Sequence, residues 1–341
     1  MKRAGYILLH MNSLNGKSIL IAGASGYLGG FVLRAARERG LRTRILVRKT
    51  SQAQPLAKWS DEIVEARATE AGSVAGITRG MDYVFSSIGI TRQRDGLTYR
   101  DVDLGANLNL LRDAGQTGVK RFVYVSVLNP QVFGTNPMVA AKEEFCRILQ
   151  SSELPGLIIR PTGFFNDMRE FYEMARRGRV YLFGNGRTRI NPVHGADLAA
   201  FIMDALARAE SGASLSSARP SGDTFADFSA GNVLNAYANM NTGEVKNTAC
   251  VELDVGGPQI YTQNEIARLA FEVLKKPVKV THVPAWIGSL VAALLRIFNR
   301  RLYAIVDFIL KGSETDMVGP PSGTHSLRSF YRELRAANQS R

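Results

Sequence analysis

The sequence predicts an α/β fold, a doubly wound parallel sheet with a smaller C-terminal substrate region, and three observations carry the prediction. Apolar runs of strand length alternate with helical patterns through the first half of the chain. The stretch GASGYLG, Gly23 to Gly29, lies between the first of those runs and the first helical pattern. The 341 residues are 45% hydrophobic, enough for a sizeable buried core and unlike a disordered chain.

The elements follow in order. KSILIA (17–22) reads as a strand, and YLGGFVLRAARERG as a helix in which Leu28, Phe31, Val32 and Ala35 share one face, while Arg34, Arg37 and Glu38 face water. Gly40 ends that helix. RTRILV (42–47), EIVEAR and DYVFSS (82–87) are strands, DLGANLNLLRDAGQTG is helical, and RFVYVS (121–126) is a further strand. After Lys142 come the strand LIIR (157–160), the turn-rich PTGFFND, the helix FYEMARRG, the short strand RVYLF and the helix ADLAAFIMDALAR. Residues 211–248, rich in Ser, Ala, Gly and Asn, read as a flexible insertion. Regular structure resumes at VELDVGG, Thr262 and Glu265 have the spacing of a capping box, and VKVTHVP is a strand.

The segment 284–310, PAWIGSLVAALLRIFNRRLYAIVDFIL, is the most apolar of the chain, but Arg296, Arg300 and Arg301 keep either half below the length that spans a bilayer. Two short helices around a basic turn are expected. A helical lid, a dimer surface and peripheral membrane contact all fit them.

Composition excludes several classes. Cys146 and Cys250 stand far apart and give neither a disulfide framework nor a metal site, and no metal is expected. The apolar run in MKRAGYILLHMNSLNGK is too short for a secretory signal, so a cytoplasmic protein, peripheral to a membrane at most, is expected. The formal charge of +13 is scattered rather than clustered. Without zinc-finger spacing, an RNP-like strand or a helix-turn-helix pattern, it predicts no specific nucleic-acid partner; the expected partner is a small-molecule substrate.

GASGYLG in a strand-turn-helix context is a dinucleotide signature. Gly23 permits the tight turn, Gly26 lets a pyrophosphate approach the backbone, Gly29 allows the helix to close on the strand, and N–H groups at the helix start receive the anion. The second strand ends in LVRKT, with Arg48 and Lys49 where an acid would bind a ribose 2′-hydroxyl. A guanidinium there can hold a 2′-phosphate with two hydrogen bonds, so NADP(H) is expected over NAD(H), with Ser25 adding a hydroxyl to the phosphate.

These residues, with VFSSIG, YVSVL, Lys142 and RPTGFFNDM, resemble the atypical and extended short-chain dehydrogenase/reductase superfamily. The chain looks most like the group that contains divinyl chlorophyllide reductase-like, phenylcoumaran benzylic ether reductase-like and NmrA-like proteins. The resemblance covers about residues 17–208 and resumes more weakly from 251. It implies a Rossmann-type NADP-binding core over 15–161 and a mixed C-terminal region over 162–341. It also implies cofactor contacts at Gly23, Ser25, Gly26, Tyr27, Leu28, Gly29, Arg48, Ser87, Lys142 and Pro161, and chemical roles for Lys142 and Ser126.

Standard members place a tyrosine four residues before the lysine; here that position is Met138, and the position that often holds asparagine is Asp103, with Asn107 one turn later. Two mechanisms remain open. In the first, implied by the resemblance to the ether-reductase branch, Lys142 itself carries the proton, its pKa depressed towards neutrality by burial and the nicotinamide charge. Otherwise Lys142 holds only the ribose, and the substrate is one that needs no alcohol proton relay, such as a conjugated alkene. The resemblance implies an NADP(H)-dependent reductase of a largely apolar small molecule, or alternatively a non-catalytic NAD(P)-binding sensor or assembly factor. His194 reads as a loop histidine rather than a base.

Overall fold

The computed structural model describes residues 13–90, 96–213, 215 and 250–339. The insertion expected at 211–248 lies outside the described residues except for 211–213 and 215. The chain divides into two compact units. Of the described residues, the first takes those up to Ser126, Ala140–Arg160, and those from Leu198 to Leu253; the second takes Val127–Val139, Pro161–Asp197 and those from Asp254 onward. Along the chain the units change at 126/127, 139/140, 160/161, 197/198 and 253/254, against the single boundary expected at 161/162. The exchange of segments around it, with 127–139 in one unit and 198–253 in the other, has no mark in the sequence.

A seven-stranded sheet has the order β3-β2-β1-β4-β5-β6-β9. Its strands are β1 (Ser18–Ala22), β2 (Arg42–Val47), β3 (Glu62–Glu65), β4 (Tyr83–Ser86), β5 (Arg121–Val125), β6 (Gly156–Pro161) and β9 (Cys250–Val255). Every pairing from β3 to β6 is parallel. All residues of β1 and β4 are buried, as strands covered on both faces must be, which is why they read as unbroken apolar runs. The order reverses between β1 and β4, and in open parallel sheets ligands bind beyond the strand ends at that reversal.

Helix α1 (Tyr27–Glu38) follows β1. Its buried face is centred on Leu28, Val32, Leu33 and Ala36, with Phe31 and Ala35 only partly covered, so the helix is turned from the face expected. The reason is packing at Gly29, which brings that side of the helix onto its own turn. Gly40, at φ 75°, closes the C-terminus as expected, with Leu41 N–H donating to Ala36 O at 3.1 Å. A π-helical turn over Arg100–Ala106 leads into α2 (Asn107–Gln116), and α3 (Pro137–Ser151) carries Lys142.

The second unit has its own core, in which Phe165, Tyr172, Ile266, Phe271, Leu327 and Tyr331 are buried together. Helix α4 (Phe165–Arg176) starts inside the stretch expected to be a turn, because Asp167 accepts the Phe164 N–H at 3.0 Å and caps the first turn. Strands β7 (Val180–Phe183) and β11 (Val280–Val283) pair in parallel, and β8 (Arg189–Ile190) pairs antiparallel with β10 (Tyr261–Thr262). Helix α5 (Gly195–Glu210) follows, and α6 (Gln263–Leu274) begins on the expected box, with Thr262 Oγ1 accepting from Glu265 N–H at 3.2 Å. The two helices expected in 284–310 are α7 (Ala285–Phe298) and α8 (Arg300–Glu314), and α9 (Leu327–Gln339) follows. Among the described residues no helix is long and apolar enough to cross a membrane.

Candidate functional site

The turn after β1 is built so that only glycine fits it. Gly23 has φ 93°, and a Cβ there would lie 2.8 Å from Ser87 Oγ, the hydroxyl that follows β4. A Cβ on Gly29 would overlap the carbonyl of Gly23, so α1 approaches the turn as closely as a backbone can. Gly26 N–H donates to Gly23 O at 2.9 Å and Gly26 is the N-cap of α1, a helix start with no side-chain cap and no acid in its first turn. Ser25 and Gly26 are exposed, Tyr27 is half-buried, and Leu28 is packed in the core, so only its backbone can serve an anion. An anion fits here: the helix start presents N–H donors and the positive end of its dipole, with no competing carboxylate.

Arg48 follows β2 directly and is exposed, with Lys49 beside it. The end of β3 brings a carboxylate to the neighbouring strand, but Glu65 is engaged: it accepts from Thr50 Oγ1 at 2.5 Å and Thr50 N–H at 2.7 Å. Those bonds hold its carboxyl below the ordinary value. Sequence reasoning missed this acid because β2 and β3 meet only in the folded sheet.

Lys142 and Asp103 form an ion pair of 3.0 Å, with the Asp103 side chain fully buried. The π-helical turn sets Asp103 there, a wider turn of the kind that recurs at functional sites. Asp103 also accepts the Ile90 N–H at 3.0 Å. The ammonium lies 5.6 Å from the ring centroid of Tyr124, whose face adds a cation–π attraction. Burial alone would depress the lysine, as expected from the sequence. Tyr124 and Asp103 outweigh it and hold the group above its ordinary pKa in the cofactor-free chain. Gly89 keeps the pair open: a Cβ there would stand 2.6 Å from Asp103 Oδ1 and 3.0 Å from Lys142 Nζ. Asn107 occupies the next turn, accepting from Ser86 Oγ at 2.5 Å and donating to Asp103 O at 2.8 Å, and so ties the end of β4 to the π-helical turn.

Ser126, expected to take part in the chemistry, is 4% exposed and donates to Glu143 at 2.6 Å. Glu143 accepts two hydrogen bonds from Arg160, at 2.7 and 2.8 Å, and Arg160 also donates to Glu252 on β9 at 2.7 Å. A buried guanidinium between two carboxylates joins α3, β6 and β9, and the serine hydroxyl donates into this network. Sequence reasoning missed Glu143, Arg160 and Glu252, whose separation in the chain gives no local signal.

Met138 packs with Leu128, Phe133, Val139 and Met317, and so brings no proton-bearing group in place of the usual tyrosine. Pro161 is buried at the end of β6, and its carbonyl accepts the Leu128 N–H at 3.2 Å. His194 stacks on His325 at 4.2 Å, and His325 Nδ1 lies 2.7 Å from Asp197, which also accepts the backbone N–H of Thr324 and His325. Burial first, then His325, lower the His194 pKa, consistent with a neutral loop histidine. Among the described residues no cluster of His, Cys, Asp and Glu is arranged to hold a metal.

Comparison with known proteins agrees with this geometry. A family model described as NAD(P)H-binding matches residues 23–209, more than half of the chain. The photosystem II assembly factor Ycf39 of Guillardia theta is 29% identical over 191 residues, 55% of this chain and 60% of that protein. The chloroplastic divinyl chlorophyllide a 8-vinyl-reductase of Arabidopsis thaliana is 28% identical over 211 residues, 55% of this chain and 49% of that one. The chain thus spans about half to three fifths of these two relatives. The NADPH-dependent quinone oxidoreductase QOR2 of Escherichia coli, solved with NADPH, shares the fold at a TM-score of 0.64 and 18% identity, over 93% of this chain and 99% of that one. From the glycine turn to the end of the matched segment, residues 23–209, the chain belongs to the NAD(P)H-binding family, and its fold is shared with that quinone oxidoreductase.

Proposed function

We propose that the chain is an NADPH-dependent reductase that delivers hydride to a conjugated, largely apolar small molecule, with Lys142 acting as a charged ligand of the cofactor ribose. The observation that carries this reading is the Lys142–Asp103 pair. A lysine held protonated beside a buried carboxylate donates hydrogen bonds well and gives up a proton poorly. With Met138 in an apolar cluster, neither position of the usual tyrosine–lysine couple can relay a proton to an alcohol or carbonyl oxygen. A conjugated acceptor needs no such relay, because its proton can come from water after hydride arrives.

The residues divide the work of holding the cofactor. The turn Gly23–Gly29 and the start of α1 receive the pyrophosphate, with Ser25 and the Ser87 hydroxyl at its edge. Arg48 and Lys49 bind the 2′-phosphate and select NADPH, while the Glu65 carboxylate on the neighbouring strand is engaged by Thr50. NADPH, when bound, supplies the hydride; the protein sets its position and the polarity around it. The Arabidopsis thaliana relative is named for reduction of a vinyl group, which supports this acceptor class.

A second reading is favoured by Met138 and by the similarity to Ycf39: a dinucleotide-binding assembly factor or sensor without turnover. Incubation with NADPH and a panel of vinyl compounds, enones and quinones, while nicotinamide absorbance is followed, separates the two. Acceptor-dependent loss of NADPH supports the reductase; saturable NADPH binding with no oxidation by any compound supports the factor.

A further inference from the structure

Helix α7 is amphipathic in the reverse sense. Its covered side is made of small residues, Gly288 and Ala292, and a Cβ on Gly288 would overlap Leu310 of α8 and stand 3.1 Å from the ring of Phe183. Its large apolar side chains point outward instead. Trp286, Leu290, Leu294 and Ile297 form one stripe at helical spacing, with Phe298 at its edge; Ile297 is 75% exposed and Phe298 82%. Leu302 and Ile309 of α8 are exposed as well. A contiguous apolar surface of this kind marks a site of contact, since exposed in water it gains nothing.

The charge around it identifies the contact. Arg296 is in the last turn of α7, and Arg300 and Arg301 open α8, while no acid occurs between 284 and 306. The first acid, Asp307, is turned inward, accepting from Asn136 at 2.8 Å and Lys311 at 3.0 Å. The hairpin base is rigid, with the Phe133 and Phe308 rings stacked at 4.4 Å and Asn136 bonded to Ala304 O at 2.8 Å. At 14 residues, α7 is about 21 Å long, too short to cross a hydrocarbon core but suited to lie in its surface.

We infer that the α7–α8 hairpin docks on an anionic lipid bilayer, with the Trp286–Ile297 stripe and Phe298 entering the acyl boundary and the arginines at the level of the headgroup phosphates. A second copy of the chain fits less well, since a two-fold contact centred on the stripe would bring two sets of like charges to one rim. A lipid surface supplies both the apolar layer and the countercharge.

The test is co-sedimentation of the full chain with phosphatidylcholine vesicles, with and without a third of phosphatidylglycerol. The expected result is strong binding to the anionic vesicles, weak binding to the neutral ones, and a blue shift of tryptophan emission that Trp286→Phe removes. Ile297→Ser with Phe298→Ser should lower binding by at least about tenfold. Arg296→Gln and Arg300→Gln should each lower binding to anionic vesicles by about fivefold, with little effect on neutral ones. All five positions are exposed, so circular dichroism should be unchanged. Failure to bind anionic vesicles, or equal binding to both compositions, overturns the inference. So does a dimer that the Ile297→Ser/Phe298→Ser variant dissociates while vesicle binding stays absent.

Discussion

Lys142 Nζ lies 3.0 Å from Asp103 Oδ1, and this pair joins the helix after β5 to the π-helical turn after β4. Because Tyr124 and the Asp103 carboxylate together more than offset burial, the lysine pKa is raised, and its contribution to stability is present in full below the ordinary value of 10.5 and lost as pH rises through the folded-state value. In Asp103→Asn the carboxylate is gone, and Tyr124 opposes burial without it. NADPH affinity is then expected to fall with rising pH nearer neutrality than in the parent, and stability at pH 7 to fall by about 3–5 kcal/mol, the cost of breaking a buried pair. Fluorescence titration of NADPH across pH, with thermal unfolding alongside, checks both.

Gly29→Ala places a methyl group on the Gly23 carbonyl. The turn can accommodate it only by moving α1 away, at a cost of about 1–3 kcal/mol, and NADPH affinity should fall with it. Gly115→Ala is the control: a Cβ there meets nothing within 4 Å, and both quantities should hold.

Arg48→Ala should weaken NADPH binding by about tenfold and leave NADH binding within about twofold, the difference expected for a charge-assisted bond to the 2′-phosphate. Equal losses for the two nucleotides would assign Arg48 to something other than cofactor choice.

Ser126→Ala should lower stability by about 1–3 kcal/mol through the lost bond to Glu143, while turnover with a conjugated acceptor stays within about twofold. A collapse of turnover at unchanged stability would restore the serine to the chemistry.

The parts legible in the sequence are those whose cause is local. The glycines of GASGYLG, the unbroken apolar strands β1 and β4, the Thr262–Glu265 cap and the two helices around the basic turn each depend on neighbours within one turn or one strand. What escaped depends on partners remote in the chain. Glu143, Arg160 and Glu252 become a network only when β6 and β9 join one sheet. Asp103 is legible as a departure from asparagine, but its pairing with Lys142, which reverses the expected pKa shift, requires the π-helical turn. The face of α1 was misplaced because the closeness of Gly29 to Gly23 turns the helix, and periodicity alone carries no such information.

In the proposed reductase, Lys142 holds the cofactor while the acceptor is reduced without an alcohol relay. Parallel measurement of NADPH binding by fluorescence and acceptor-dependent NADPH oxidation, in the parent chain and in Lys142→Met, tests it most directly. The parent is expected to bind NADPH and consume it in equal amount with reduced product, and Lys142→Met to lose affinity by tenfold or more, with turnover largely recovered at saturating NADPH. Tight NADPH binding by the parent with no oxidation by any vinyl, enone or quinone compound would contradict it, as would unchanged binding in Lys142→Met.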